Sequence, residues 1–145
     1  MSSKLNVKQW IIAAIAAFIF VSIWQFLMGR FFFPALFPAT STPAPQPENA
    51  MLARLLFYLG RAIFALLFVF IYTRGYEGKP GVGEGLRYGV WMGLLIYVPG
   101  MFINFVVSTT PTDLIITRVV TGLIETILSG IITGAIYKGQ PKPTT

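Results

Sequence analysis

Four long apolar segments limit what this chain can fold into. They cover approximately residues 10–29, 51–73, 86–107 and 114–137. Each is close to the ~20 residues that an α-helix needs to cross ~30 Å of hydrocarbon. Lipid offers no hydrogen bonds to the backbone, so a spanning segment of this length has to be helical. The sequence therefore predicts an all-α integral membrane four-helix bundle made of two helical hairpins, a single transmembrane domain over residues 1–145.

The composition favours lipid over water as the surrounding solvent. Only 11% of the residues are charged, against about 25% in soluble domains. The net charge of +6 does not indicate nucleic-acid binding, because the basic residues form no patch with interleaved aromatics. The first apolar segment is long for a signal peptide and lacks a nearby cleavage site, so we expect an uncleaved span. The expected partner is the lipid bilayer, with no nucleic acid.

Two connections are predicted from proline and glycine. Residues 34–50 contain five prolines and are expected to form an extended loop outside the membrane. Residues 74–85 contain five glycines and are expected to form a loop on the opposite side. This glycine-rich stretch does not indicate a nucleotide site, because no strand precedes it and Lys79 stands before most of the glycines. We expect it to fold against the membrane surface or a partner.

Basic residues beside the spans predict the orientation, because cytoplasmic loops carry the excess of Lys and Arg. One side would hold Arg30, with Arg54 and Arg118 just inside helix ends. The sequence therefore predicts a protein of the cytoplasmic (inner) membrane with both termini in the cytoplasm. The cations on the cytoplasmic side would be Lys4, Lys8, Arg74, Lys79, Arg87, Lys138 and Lys142.

The chain contains no Cys and no His. Its own side chains therefore cannot form a disulfide, a thiolate metal site or a His-ligated haem site, and they offer no His general base. We expect no metal site, no cofactor and no enzymatic activity. Lipids, quinones or pigments bound between helices need no motif, so a bound lipid or hydrophobic cofactor at the helix interfaces stays open.

Ionisable residues within the spans are the candidate site. Arg61 and Glu125 lie at similar depth near the middle of the membrane, and Arg54 and Arg118 lie nearer one surface. Residues seven apart share a helix face, which aligns Arg54 with Arg61 and Arg118 with Glu125. We predict a buried cluster in which Glu125 pairs with Arg61, Arg118 or both. It either joins helices without a ligand or lines a polar cavity for an anion, a lipid headgroup or a proton.

Small residues at every fourth position predict close helix packing, because they let backbones approach in lipid. The pattern leaves open whether the facing helix belongs to this chain or to a partner. Pro99 and Gly100 predict a kink in the third helix, either a hinge or pocket, or a plain packing bend. The packing residues are Gly85, Gly89 and Gly93 in the third span and Gly122, Thr126, Gly130 and Gly134 in the fourth.

Residues 70–89 read FIYTRGYEGKPGVGEGLRYG. This stretch resembles a group of small uncharacterised bacterial four-span membrane proteins, and the likeness extends through Glu125 to Lys138. The group's first helix often carries an Asp and, four residues on, a His-Gly pair, where this sequence has Trp24 and Met28-Gly29. The resemblance implies a membrane protein and no particular activity.

Two functions are consistent with these features. The first is a non-catalytic accessory or structural subunit that packs against a larger membrane complex, as the small-residue ladders and many aromatics indicate. The second is a small binding or transport protein that holds an anionic or lipid ligand at the intramembrane Arg and Glu residues.

Overall fold

Four helices in the computed structural model are long and apolar enough to cross a membrane. The structure describes residues 5–38, 48–78 and 81–138, and this part of the chain contains no strand. The predicted all-α four-helix membrane bundle is confirmed. The elements are α1 (Val7–Leu27), a π-helical turn (Met28–Phe32), α2 (Phe33–Leu36), α3 (Ala50–Gly75), α4 (Gly81–Val107) and α5 (Thr112–Ile136).

Asparagine side chains fix the starts of two spans. The Asn6 side chain accepts a hydrogen bond from the Gln9 backbone N–H at 3.3 Å, and Asn49 does the same for Leu52 at 3.1 Å. Each satisfies one of the backbone donors that the first turn of a helix leaves unpaired. The apolar runs that follow therefore begin as helices at defined residues.

The start of α1 and the end of α5 lie together. The backbone N–H of Lys138 donates to Gln9 Oε1 at 2.8 Å. The ring of Tyr137 lies 6.1 Å from that of Tyr72, near the end of α3. We call this end of the bundle the termini end and the opposite one the far end. Four crossings place both ends of the described chain on the same side of the membrane.

The glycine-rich connection is shorter than predicted. We expected a loop over residues 74–85, but α3 continues to Gly75 and α4 already begins at Gly81. Glycine costs about 1 kcal/mol relative to alanine in a helix, yet here Gly81 and Gly85 face the backbone of α5. Close packing outweighs the low helix propensity. The turn itself uses Gly78, whose φ of 80° favours glycine.

The proline-rich connection also begins later than residue 34. The first span was expected to end at Gly29, but helical structure continues to Leu36 through the π-helical turn and α2. Pro34 lies in the first turn of α2, where a missing N–H costs little. Residues 39–47, with Pro43, Pro45 and Pro47, lie outside the described residues, as do Lys4, Lys79 and Lys142 of the predicted cytoplasmic side.

The helices pack in the spatial order α3, α1, α5, α4. Alanines on α1 give α3 close access, and Tyr88 links α4 back to α3 by donating its hydroxyl to the Phe68 carbonyl at 2.6 Å. The core is therefore concentrated toward the termini end. Its buried members are Ala13, Ala14, Ala17, Ala65, Phe68, Val69, Tyr72 and Tyr137.

Helix α4 continues through Pro99 and Gly100 without interruption. A Cβ at Gly100 would meet no atom within 4 Å, so this glycine is not required by a close contact. Asn104 Nδ2 donates to the Gly100 carbonyl at 2.8 Å. The kink at these two residues stays a prediction.

Candidate functional site

The two small-residue ladders face each other within this chain. A Cβ at Gly85 would overlap the Gly130 carbonyl oxygen, and a Cβ at Gly130 would overlap that of Gly85. Gly134 and Gly81 face each other in the same way, and a Cβ added at Gly89 would lie 2.5 Å from the Thr126 carbonyl oxygen. The helix that faces each ladder therefore belongs to this chain, because the small residues of α4 and α5 pack against one another.

Toward the far end of the bundle, the glycines of this interface face side chains instead of backbone. A Cβ at Gly93 would collide with the Thr126 hydroxyl, and the ring of Tyr97 covers Gly122. The Thr126 hydroxyl donates to carbonyls of its own helix, Gly122 at 3.2 Å and Leu123 at 3.0 Å. Thr126 therefore serves packing and does not offer its hydroxyl proton to a ligand.

Glu125 is the one acid buried at mid-membrane depth among the described residues, with 4% of its surface exposed. The amide Nε2 of Gln25 on α1 lies 3.3 Å from Glu125 Oε1 and 3.4 Å from Oε2. In a medium without water these donated hydrogen bonds offset part of the cost of burying the carboxyl group. Gln25 thus fixes α1 to α5 at this depth.

Arg61 on α3 reaches the same amide from the other side. Its Nη2 donates to Gln25 Oε1 at 3.0 Å, and its Cζ lies 3.8 Å from the centroid of the Phe57 ring. Gln25 therefore lies between the arginine and the acid, and no ion pair between Arg61 and Glu125 is formed in the described structure. We call these three side chains the Arg61–Gln25–Glu125 chain.

The other two members of the predicted cluster lie elsewhere. Arg54 is exposed, and Arg118 is exposed with its Cζ 6.0 Å from the ring of Phe33 in α2. Arg118 shares a helix face with Glu125, but seven residues of helix separate them by about 10 Å along the axis. The structure brings Arg61 and Glu125 together and leaves Arg54 and Arg118 apart from them.

Gln25 is the site residue that charge-based reasoning missed, because only ionisable side chains were considered as candidates. The available signal was a side-chain amide in an otherwise apolar span, because such a group needs a partner in lipid. The predicted span of residues 10–29 placed Gln25 only four residues from its end, away from the mid-span depth of Glu125, and it did not show which helix face meets both α3 and α5.

A cavity of about 320 Å³ lies toward the far end, between α4 and α5. Its wall is mostly apolar, with a few hydrogen-bonding groups. This is the composition expected where an amphipathic molecule binds with its polar group held in place. The groups with polar side chains in the wall are Tyr97, Asn104, Thr110 and Arg118.

The far half of α3 has no packing partner among the residues that the structure describes. Five consecutive side chains from Leu55 to Leu59 are each more than half exposed. Successive helical residues are rotated by about 100°, so five in a row face every side of the helix. A span that packs on one side of a bundle would keep one face covered. This half of α3 is surrounded by lipid or by another molecule.

Comparison with family models, curated proteins and solved structures finds no match. The resemblance to small four-span bacterial proteins stays a prediction.

Proposed function

We propose that this chain is a non-catalytic accessory subunit that packs against another membrane protein through the far half of α3. The observation that carries the proposal is the exposure of Leu55–Leu59 on all sides of the helix. We call this stretch the α3 surface. Apolar exposure alone is expected toward lipid, so a second feature is needed to favour a protein partner.

Arg61 supplies that feature, because it follows the α3 surface by half a turn. An arginine at the centre of a membrane helix costs about 2.5–3.5 kcal/mol on insertion scales. One of its nitrogens donates to Gln25, and the arginine stays partly exposed at the helix surface. A partner helix with a carbonyl or carboxylate oxygen at this depth would satisfy the remaining donors. The expected partner is therefore a transmembrane helix with an acceptor near mid-membrane.

The glycine ladders no longer support this function. They were one reason to expect an external partner, but α4 and α5 bury them against each other. Any partner surface has to be built from large residues instead. Aromatic and aliphatic side chains such as Phe57, Tyr58 and Leu59 are the kind that fill the centres of protein interfaces.

Cross-linking inside native membranes tests the proposal. A photoreactive amino acid at Leu55 or Leu59 should label one defined polypeptide, and the labelling should weaken when Arg61→Leu is added. Ile15 on α1 is also more than half exposed and serves as the matched control. Equal labelling from Ile15, or labelling of lipid alone from all three positions, would contradict the accessory role.

The proposal includes a cytoplasmic membrane of a bacterium, with both termini in the cytoplasm. Lys8, Arg74, Arg87 and Lys138 belong to the termini end, which supports this orientation. The chain has no native cysteine, so single cysteines report sidedness directly. In intact cells, a membrane-impermeant maleimide should label Glu48→Cys and spare Lys138→Cys. The reverse result would invert the orientation.

The far-end cavity favours a second function, the binding of an anionic amphiphile such as an acidic phospholipid. Arg118 provides a positive charge beside Asn104 and Thr110, and the apolar wall suits an acyl chain. Arg118→Gln should lower the retention of phosphatidylglycerol in native mass spectrometry by about tenfold, the loss expected for one charged hydrogen bond. Arg54→Gln, at an exposed arginine outside this cavity, is the control. Equal retention in both variants would exclude this site.

A further inference from the structure

A second cavity lies at the termini end, between the end of α3 and the start of α4. Its volume is about 160 Å³. It is separate from the far-end cavity and from the Arg61–Gln25–Glu125 chain. Its lining residues are Tyr72, Gly75, Glu84, Arg87, Tyr88 and Trp91.

Two polar atoms of this lining are buried without a partner. Glu84, in the first turn of α4, is 7% exposed, and Tyr72 is 1% exposed. Glu84 Oε1 accepts a hydrogen bond from the Glu77 backbone N–H at 2.6 Å. Glu84 Oε2 and the Tyr72 hydroxyl have none. A buried unpaired polar group costs about 1–3 kcal/mol, and more when it is charged, so both atoms favour a bound donor.

The charges in the lining select a cation over an anion. Arg87 Nη2 lies 3.3 Å from Glu77 Oε2, so the positive side chain among the described lining residues already faces a carboxylate. No described cation forms an ion pair with Glu84. A positively charged ligand would therefore complement the cavity.

Aromatic rings complete the lining. The Tyr88 hydroxyl is already committed to the Phe68 carbonyl, so Tyr88 offers its ring. The rings of Tyr72 and Tyr88 are 5.3 Å apart, and Trp91 is 67% exposed at the mouth. Ring faces around a carboxylate are the surroundings that attract ammonium groups.

We propose that this cavity binds a primary ammonium group at the membrane interface. Glu84 Oε2 and the Tyr72 hydroxyl oxygen accept two of its N–H donors, and the rings of Tyr88 and Trp91 contact its charge. A two-carbon amine is the simplest ligand with this chemistry. Free ethanolamine and the headgroup of phosphatidylethanolamine present the same chemistry, and the experiment separates them.

The test uses the full-length protein in detergent. One arm measures binding of radiolabelled ethanolamine, and the other compares retention of phosphatidylethanolamine and phosphatidylglycerol by native mass spectrometry. Preferred retention of phosphatidylethanolamine, displaced by ethanolamine, identifies the lipid headgroup. Ethanolamine binding without a lipid preference identifies a free amine. Wild-type protein that shows neither would overturn the proposal.

Glu84→Gln keeps the side-chain size and the acceptor for Glu77. It should weaken binding by about tenfold or more, because a charged hydrogen bond becomes a neutral one. Glu48→Gln, at an exposed acid outside the cavity, should leave binding unchanged. Equal binding by Glu84→Gln and wild type would show that water satisfies the two buried atoms and would overturn the proposal.

If Glu84→Gln does not fold, Trp91→Leu provides the test. This variant should fold, because the exposed Trp91 ring contributes little to packing. A loss of about two- to fivefold, as expected for an exposed cation–π contact, supports the proposal, and unchanged binding overturns it. The α3 surface and the far-end cavity are not altered by either variant, so failure here is distinguishable from failure of the proposed function.

Discussion

The two helix pairs of this bundle use different means to pack in the same solvent. α4 and α5 place glycine against backbone from Gly81–Gly134 to Gly89. α1 and α3 meet through alanines and larger side chains concentrated toward the termini end, and the far half of α3 is exposed on all sides. Lipid supplies no hydrophobic drive for helix association. The length of a contact therefore follows the length of the small-residue ladder, and α3 has no such ladder in its far half.

This difference assigns separate roles to the pairs. In the α4–α5 pair, the ladder glycines of the two helices pack against each other. The α1–α3 pair leaves one surface open and is tied to α5 at mid-depth by Gln25, which contacts both Arg61 and Glu125. The open surface is the one to which we assign a partner.

The largest effect is expected where the glycine ladders cross. Gly85→Leu places a side chain against the Gly130 carbonyl, and the backbones cannot separate without losing the whole interface. We expect no stably folded bundle, measured by thermal unfolding in detergent. The smaller Gly85→Ala should destabilise by about 1–3 kcal/mol through overpacking. A folded Gly85→Leu variant with wild-type stability would break the comparison.

A smaller loss is expected at the Arg61–Gln25–Glu125 chain, which joins the two pairs. Glu125→Leu removes the acceptor of Gln25 Nε2 and should reduce the free energy of unfolding by about 1.5–3 kcal/mol. Arg61→Leu with Glu125→Leu should recover part of this loss, because the arginine charge that Glu125→Leu leaves uncompensated is also removed. Additive losses in a double-mutant cycle, measured by unfolding in mixed micelles, would show that the three side chains do not act together.

A still smaller loss of stability is expected when the contact between α3 and α4 is changed. Tyr88→Phe removes the hydrogen bond to the Phe68 carbonyl while keeping the ring. The expected loss is about 0.5–1.5 kcal/mol. Tyr97→Phe is the matched control, because no hydrogen bond of its hydroxyl is described. Equal losses from the two variants would indicate that hydroxyl removal, and not this contact, accounts for the change.

The smallest change is expected at Gly60, in α3 just beyond the α3 surface. A Cβ there meets nothing within 4 Å, so Gly60→Ala should be neutral or stabilise by up to about 1 kcal/mol through helix propensity. The same substitution at Gly130 should destabilise. Opposite signs at the two glycines in one thermal unfolding assay would sharpen the contrast between the pairs, and a clear loss at Gly60 would mean that α3 packs more closely than the structure shows.

The prediction of the glycine-rich loop shows where local reasoning fails. Gly81 and Gly83 were interpreted only as loop residues because glycine is a weak helix former. Both instead lie in α4, and Gly81 packs against Gly134 of α5, where a Cβ would not fit. Propensity is a property of one residue, whereas the compensating contact comes from a helix more than forty residues later in the sequence.

The candidate site was predicted in part. Depth along each span can be read from the sequence, and it placed Arg61 and Glu125 at one level. Rotation about the helix axes and the neighbours of each helix cannot be read in this way. Only the packing of α1 between α3 and α5 shows that Gln25 joins the two residues.

The sequence alone determined that this protein consists of four apolar helices in a membrane. The length and low charge of each apolar segment are local properties, and they are sufficient because a segment surrounded by lipid has to form a helix. The tertiary structure decided which helices share the small-residue ladders, which polar side chains meet, and which surface stays open. Those outcomes depend on how helices far apart in the sequence orient toward one another. In lipid that orientation is selected by backbone contact and hydrogen bonding between helices.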